Sequence, residues 1–162
     1  MSNAASKVLV AGVGNIFFRD DAFGVEVARR LATRELPPGT EVADFGIRGV
    51  HLAYEVANSY STLILVDALD LGEPPGTLAV IDAGDDLASM VNLGCLDGHS
   101  MNPAVVLSSL SHLGAQLERA LVVGCQPASV DEGEGLSPAV GAAVEPAAEL
   151  CLYLARQSTE KL

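Results

Sequence analysis

Three side chains in this sequence pair reactive chemistry with positions where an α/β sheet opens to its ligands: Asp21, Asp67 and His99. Asp20 and Asp21 follow a short apolar run, Val8 to Ala11, and a turn punctuated by Gly12 and Gly14. Asp67 closes the most hydrophobic run of the chain, Thr62 to Ala68. His99 stands just ahead of a helix start at Asn102 and Pro103, an N-cap residue followed by a proline in the first turn. Two carboxylates brought together repel one another, which raises the pKa of one of them, and a divalent cation removes that repulsion. One imidazole and two carboxylates leave coordination positions open. That donor set suits nickel, zinc or cadmium better than calcium or a closed structural zinc site. Singly, each residue has a plainer use. The adjacent acids can serve a helix N-terminus, one as cap and one against the dipole; Asp67 can cap a neighbouring helix, and His99 can be a hydrogen-bonded loop residue.

The elements that must position these residues follow from apolar periodicity. Val8 to Ala11 reads as a buried parallel strand, and Val25 to Leu36 as an amphipathic helix after it. The breaker Leu36-Pro-Pro-Gly39 leads to a second strand, Thr40 to Phe45, then a loop over Gly46 to Gly49 and a short helix over 50–58. Thr62 to Ala68 is the central strand. Thr77 to Ile81 is a further strand, antiparallel at an edge, and Arg119 to Cys125 is the last. Residues 82–98 read as a surface loop, 126–136 as a mobile polar loop, and Ser137-Pro138 to about Gln157 as a final helix that Pro146 kinks or deprives of one backbone bond. The alternation requires a parallel-dominated sheet covered on both faces. With strand order two-one-three, strands one and three flank the topological switch point, and Asp21 and Asp67 face each other across the crevice.

The first strand, glycine turn and helix also invite a nucleotide-binding reading, with Asp44 as the acid after the second strand. That fingerprint needs a third glycine at position 17, where helix and strand pack closely. Here it is Phe17, and the loop carries acids where a pyrophosphate would be repelled.

The chain has 162 residues, is 49% hydrophobic and carries a formal charge of −12, which fits one domain with a substantial core and disfavours nucleic acid as a partner. No apolar run approaches the length of a bilayer span, and the first residues lack the hydrophobic core of a signal peptide. A cytoplasmic location is expected, with no membrane partner; residues 1–6 are expected to be disordered or vector-derived, and 1–162 to form a single domain. Cys95, Cys125 and Cys151 are odd in number and widely spaced, as reduced thiols are. No Ser-His-Asp or Cys-His set stands out, although Cys95 and Ser100 lie near His99. His51 and His112 fall on expected helices as surface or packing residues. Arg48, in a glycine-flanked loop, could hold a carboxylate of an incoming chain.

Gly12-Val-Gly-Asn15, Asp20-Asp21 and Gly24 resemble the signature of the hydrogenase maturation proteases, endopeptidases that trim the carboxyl terminus of nickel–iron hydrogenase large subunits. The resemblance runs on, in order, through Asp44-Phe-Gly-Ile-Arg-Gly49, Ile64-Leu-Val-Asp67-Ala, Pro75-Gly-Thr77, His99 and Val122-Val-Gly-Cys-Gln-Pro127. It ends with Gly135-Leu-Ser-Pro-Ala-Val140 and Val144-Glu-Pro146, and so covers nearly the whole chain. It implies a three-layer α/β/α sandwich around a central twisted, mostly parallel sheet of about five strands. It also implies an aspartic-type endopeptidase that acts as a hydrogenase activator. Metal binding and catalysis would fall to an acid after strand one, an acid ending strand three and a histidine, positions matched by Asp21, Asp67 and His99. The metal implied is nickel already inserted in the partner, with zinc or cadmium as surrogates in the isolated protein. The implied partner is the large-subunit precursor, recognised by the loop after strand two, here Asp44, Gly46, Arg48 and Gly49. Ala22 departs from the glycine of many relatives without removing a ligand. A non-cleaving, nickel-dependent assembly chaperone or sensor is the alternative, with a nucleotide-binding module behind it.

Overall fold

The first strand, β1 (Val8–Val13), is buried along its whole length because it lies between two parallel neighbours, β2 (Thr40–Gly46) and β3 (Thr62–Ala68). In the computed structural model, which describes residues 7–47, 60–82 and 117–159, the strands follow the order β2-β1-β3-β5-β4. Here β4 is Leu78–Asp82 and β5 is Arg119–Cys125. Every pairing is parallel except β4 with β5, so the antiparallel strand sits at an edge as expected. The order two-one-three holds, and the sheet reverses direction between β1 and β3.

Side chains alternate across the strands with period two. Val8, Val10, Ile64, Val66, Leu121 and Val123 face one core, while Leu9, Ala11, Val13, Leu63, Leu65 and Val122 face the other. Two helices cover the first face: α1 (Phe23–Leu31) and α2 (Pro138–Thr159). The α1 residues Phe23, Val27 and Leu31 recur at helical spacing toward this core. The facing side of α2 is built largely of small residues (Ala143, Ala147, Ala148, Cys151, Ala155), which lets it lie close. At the solvent edge Arg30 meets Glu145 at 2.6 Å and Arg34 meets Glu149 at 2.7 Å. The helices expected for the opposite face, over 50–58 and from 103, lie outside the described residues, as do 1–6 and the expected loop over 83–98. No helix among the described residues is long and apolar enough to cross a membrane.

Two expectations need adjustment, and a third resolves to one of its two alternatives. The first helix stops at Leu31 and not Leu36. Thr33 and Arg34 donate to the carbonyls three residues back, at 3.2 and 3.0 Å, and Leu36 precedes Pro37, a position at which the helical region is disfavoured. The last helix is continuous through Pro146. Proline deprives the Ala142 carbonyl of its bond, but both residues are exposed on the outer side, where the carbonyl is open to solvent. The segment 126–136 is tied to the protein at several points, described below.

The helix reaches β1 through glycine. A Cβ on Gly24 would overlap the Val66 carbonyl oxygen and lie 2.5 Å from that of Val13; a Cβ on Gly12 would overlap the Gly24 carbonyl and lie 2.9 Å from Ala28 Cβ. Gly24 thus supplies the close helix–strand approach that a nucleotide fingerprint would assign to position 17. This gives a test in which two effects oppose each other. Helix propensity alone makes Gly24→Ala stabilising by about 1 kcal/mol. Overpacking against backbone makes it destabilising by about 1–3 kcal/mol or more. The second term dominates here because the obstructing atoms are main chain, so urea denaturation is expected to show a net loss.

Candidate functional site

The site is built where β1 and β3 end. After Val13 the chain turns at Gly14, whose φ of 138° and close approach to the Asp21 carbonyl exclude any side chain. Asn15 fixes the turn twice. Its backbone N–H donates to Asp21 Oδ2 at 2.8 Å, and its side-chain oxygen accepts from Phe17 N–H at 2.9 Å. A 3₁₀ turn, Arg19–Ala22, then carries Asp20 and Asp21 into the interior, where they are 0% and 1% exposed.

The two acids do different work. Asp20 Oδ2 accepts from Ala128 N–H, Ser129 N–H and Ser137 Oγ–H at 2.8, 3.1 and 2.9 Å, and Asp20 Oδ1 accepts from Ser137 N–H at 2.7 Å. Arg19 N–H also donates to the Gly133 carbonyl at 3.0 Å, and Gly133 N–H to that of Phe17 at 2.8 Å. The segment expected to be mobile is therefore latched, and Asp20 anchors the residue before α2. Neither acid caps the helix it precedes, since α1 has no side-chain cap. Asp20→Ala removes a charged acceptor from four donors. It is expected to cost about 2 kcal/mol or more and to hasten proteolysis within 126–137, read by denaturation and limited digestion.

Asp21 is the acid turned toward β3. Asp67, wholly buried at the end of that strand, accepts Ala68 N–H on Oδ1 at 2.8 Å. Its Oδ2 is buried with no hydrogen-bond partner among the described residues. Burial pushes the Asp67 carboxyl well above the usual value of 3.8, the Asp21 charge pushes it further, and the Ala68 N–H opposes both. A buried carboxylate oxygen with no donor, facing a second carboxylate, has the electrostatics of a cation receptor. Asp21 and Asp67 are thus brought together as expected. The third expected ligand, His99, lies outside the described residues, among which no group of three His, Cys, Asp or Glu side chains could hold a metal ion.

Asp44 and Gly46 stand at the end of β2, beside the glycine loop; Arg48 and Gly49 lie outside the described residues. Asp44 Oδ1 accepts from Gly46 N–H at 2.9 Å, and Gly14 N–H donates to the Gly46 carbonyl at 2.9 Å, which joins the two loops. Sequence reasoning placed Asn15 within the opening signature and after two turn glycines but gave it no part in the site. Of the cysteines, Cys125 and Cys151 are free, and burial pushes each thiol up to about 12, with the Asp20 charge adding to the effect at Cys125. Cys95 lies outside the described residues.

Three comparisons with known proteins agree. The family model described as hydrogenase maturation protease matches residues 25–153. The hydrogenase 2 maturation protease of Escherichia coli K12 is 35% identical over 154 residues, 94% of this chain and 92% of that protein. The hydrogenase expression/formation protein HupM of Azotobacter chroococcum is 32% identical over 94% of this chain and 73% of its own. Among solved structures, the hydrogenase maturating endopeptidase HybD from E. coli superposes with a TM-score of 0.81 at 35% identity, covering 94% of this chain and 93% of that one.

The raised Asp67 pKa has a definite sign in stability. The folded protein keeps this proton at pH values where the unfolded chain has released it. The contribution is therefore fully present below the ordinary carboxylate value and is lost as pH rises through the folded pKa. Asp67→Asn keeps the acceptor for Ala68 and replaces the buried charge with a donor. In metal-free protein at about pH 8 it is expected to raise stability by about 1–3 kcal/mol and to flatten the decline from about pH 5. Melting temperatures across that range check this, and a lower value for the variant at high pH would contradict it.

Proposed function

This chain belongs to the hydrogenase maturation protease family and is an endopeptidase, and from that premise we propose that it removes the carboxyl-terminal extension of a nickel–iron hydrogenase large-subunit precursor after nickel insertion. The observation that carries the reading is Asp67. A buried carboxylate with one oxygen lacking a donor among the described residues, beside Asp21 at the sheet's switch point, is costly unless a cation visits it. A visiting cation is what a nickel-loaded partner would present. Nickel in this reading belongs to the substrate, and Asp21, Asp67 and His99 would recognise it, with zinc or cadmium able to stand in.

The chain's own residues supply the rest. Asn15 N–H orients Asp21, Ala68 N–H orients Asp67, and Asp20 holds the neighbouring segment, so the acid pair is set before substrate arrives. A carboxyl with a raised pKa exchanges a proton more readily near neutral pH than an ordinary one, which suits a general base for water attacking the scissile carbonyl. The loop of Asp44, Gly46, Arg48 and Gly49 would receive the tail. Enzymes of this type bear the protease name, which favours cutting over the chaperone reading.

The test is a mass measurement on purified precursor with and without nickel. Wild-type protein is expected to shorten the loaded precursor and leave the unloaded one intact. Asp21→Ala, Asp67→Ala and His99→Ala are each expected to slow shortening by about a hundredfold or more. Equal cutting of both precursors would refute the nickel check, and a stable complex without mass loss would favour the chaperone.

A further inference from the structure

Beside the acid pair, a cleft of about 480 Å³ opens between the glycine loop and the end of β2. Ile16 and Phe17 form one wall, Phe45 and Ile47 the other, and Val25 and Arg29 of α1 also line it. Ile16, Phe17 and Ile47 are 37%, 56% and 61% exposed, and they are three of the five exposed large hydrophobics among the described residues. Single exposed apolar residues are ordinary, but a convergent set around a concavity marks a binding surface.

The backbone holds these side chains outward. Phe17 N–H is fixed by the Asn15 side chain, and the Phe17 carbonyl accepts Gly133 N–H at 2.8 Å. On the other wall the β1–β2 ladder skips a residue: Gly12 pairs with Asp44 and Val13 with Gly46, so Phe45 is extra. Such a bulge re-aims a side chain. Gly46 follows with a φ of 54°, and its carbonyl accepts Gly14 N–H, which ties one wall to the other. An apolar surface already ordered before binding loses little entropy when it is covered.

Two features select the occupant. The cation that lines this cleft among the described residues, Arg29, already faces Glu26 at 3.5 Å and Asp44 at 3.7 Å, in a chain of net charge −12, so an acidic group gains little from it. The cleft is also continuous with the carboxylates, because Asn15 lines it and donates its backbone N–H to Asp21. We infer that this cleft is a specificity subsite, taking an apolar side chain of the substrate's extended tail close to the scissile bond, with Phe17 and Ile47 as the residues that select it. The inference rests on the processing reading above and adds to it the class of residue received.

The experiment uses the full chain and the nickel-loaded precursor, with tail residues around the cut changed one at a time to Asp. The double variant Phe17→Ser/Ile47→Ser, altered only at exposed positions, is expected to lose at least about tenfold in kcat/KM on the natural tail, mainly through KM. One tail position is expected where Asp cripples the wild type, and where Ile47→Lys or Phe17→Lys restores at least about tenfold of the rate by supplying the opposite charge. Wild-type cutting with an unaffected double variant, or no position rescued by either lysine, overturns the subsite and leaves the processing reading standing. Failure of the wild type to cut any loaded precursor brings down both.

Discussion

A carboxylate at the end of a fully buried strand is an expensive thing to maintain, and much of this molecule is arranged around that expense. Asp67 lies in β3, with β1 on one side and β5 on the other, so there is no solvent edge from which water could reach its backbone. One oxygen accepts Ala68 N–H and the other has no donor among the described residues, while a second carboxylate approaches from the 3₁₀ turn that follows β1. Apolar side chains in that position would stabilise the fold more. Retaining charge there makes sense only if the folded chain meets a positive partner, and a parallel sheet at its switch point is where such a partner arrives.

The approach of Asp21 to Asp67 depends on main-chain contacts too close for side chains. Gly12 and Gly24 let α1 begin against the ends of β1 and β3, and Gly14 lets the loop pass the Asp21 carbonyl. Asp20, next in sequence, is spent on structure, collecting donors from Ala128, Ser129 and Ser137. Adjacent identical residues thus hold opposite roles, because one side of a 3₁₀ turn faces a loop full of N–H groups and the other faces a carboxylate.

The strands were legible in the sequence because burial on both faces writes continuous apolar runs, and Val8 to Ala11 and Thr62 to Ala68 are such runs. The order two-one-three entered only as a condition of the switch-point reading; the sheet meets that condition, and with it comes the meeting of Asp21 and Asp67. Less local features were hidden. The end of α1 depended on a proline pair several residues on. The use of Gly24 depended on the Val66 carbonyl, a contact across 42 positions of sequence. Residues 126–136 looked mobile since their composition is polar, yet Ala128 and Ser129 donate to Asp20 and Gly133 to the Phe17 carbonyl, which composition cannot register. The exposed Phe17 was read only as an absent glycine. The imidazole expected at His99, and Arg48 and Gly49 of the recognition loop, lie outside the described residues and rest on sequence alone.

Thiol chemistry is the other way in which this sheet end could cut a peptide, since Cys125 closes β5 and its neighbour Gly124 pairs with Asp67. A thiol cuts as thiolate, and its reactive form requires an electropositive, partly open setting. Cys125 has the reverse: it is 0% exposed, Asp20 is the charge nearest in effect, and its pKa is pushed up to about 12. At neutral pH the thiolate fraction is then on the order of one in a hundred thousand. The same buried negative field that suits a cation therefore silences the nucleophile beside it. Among the described residues, the carboxyl at the sheet mouth whose pKa is raised toward the range of a general base is Asp67.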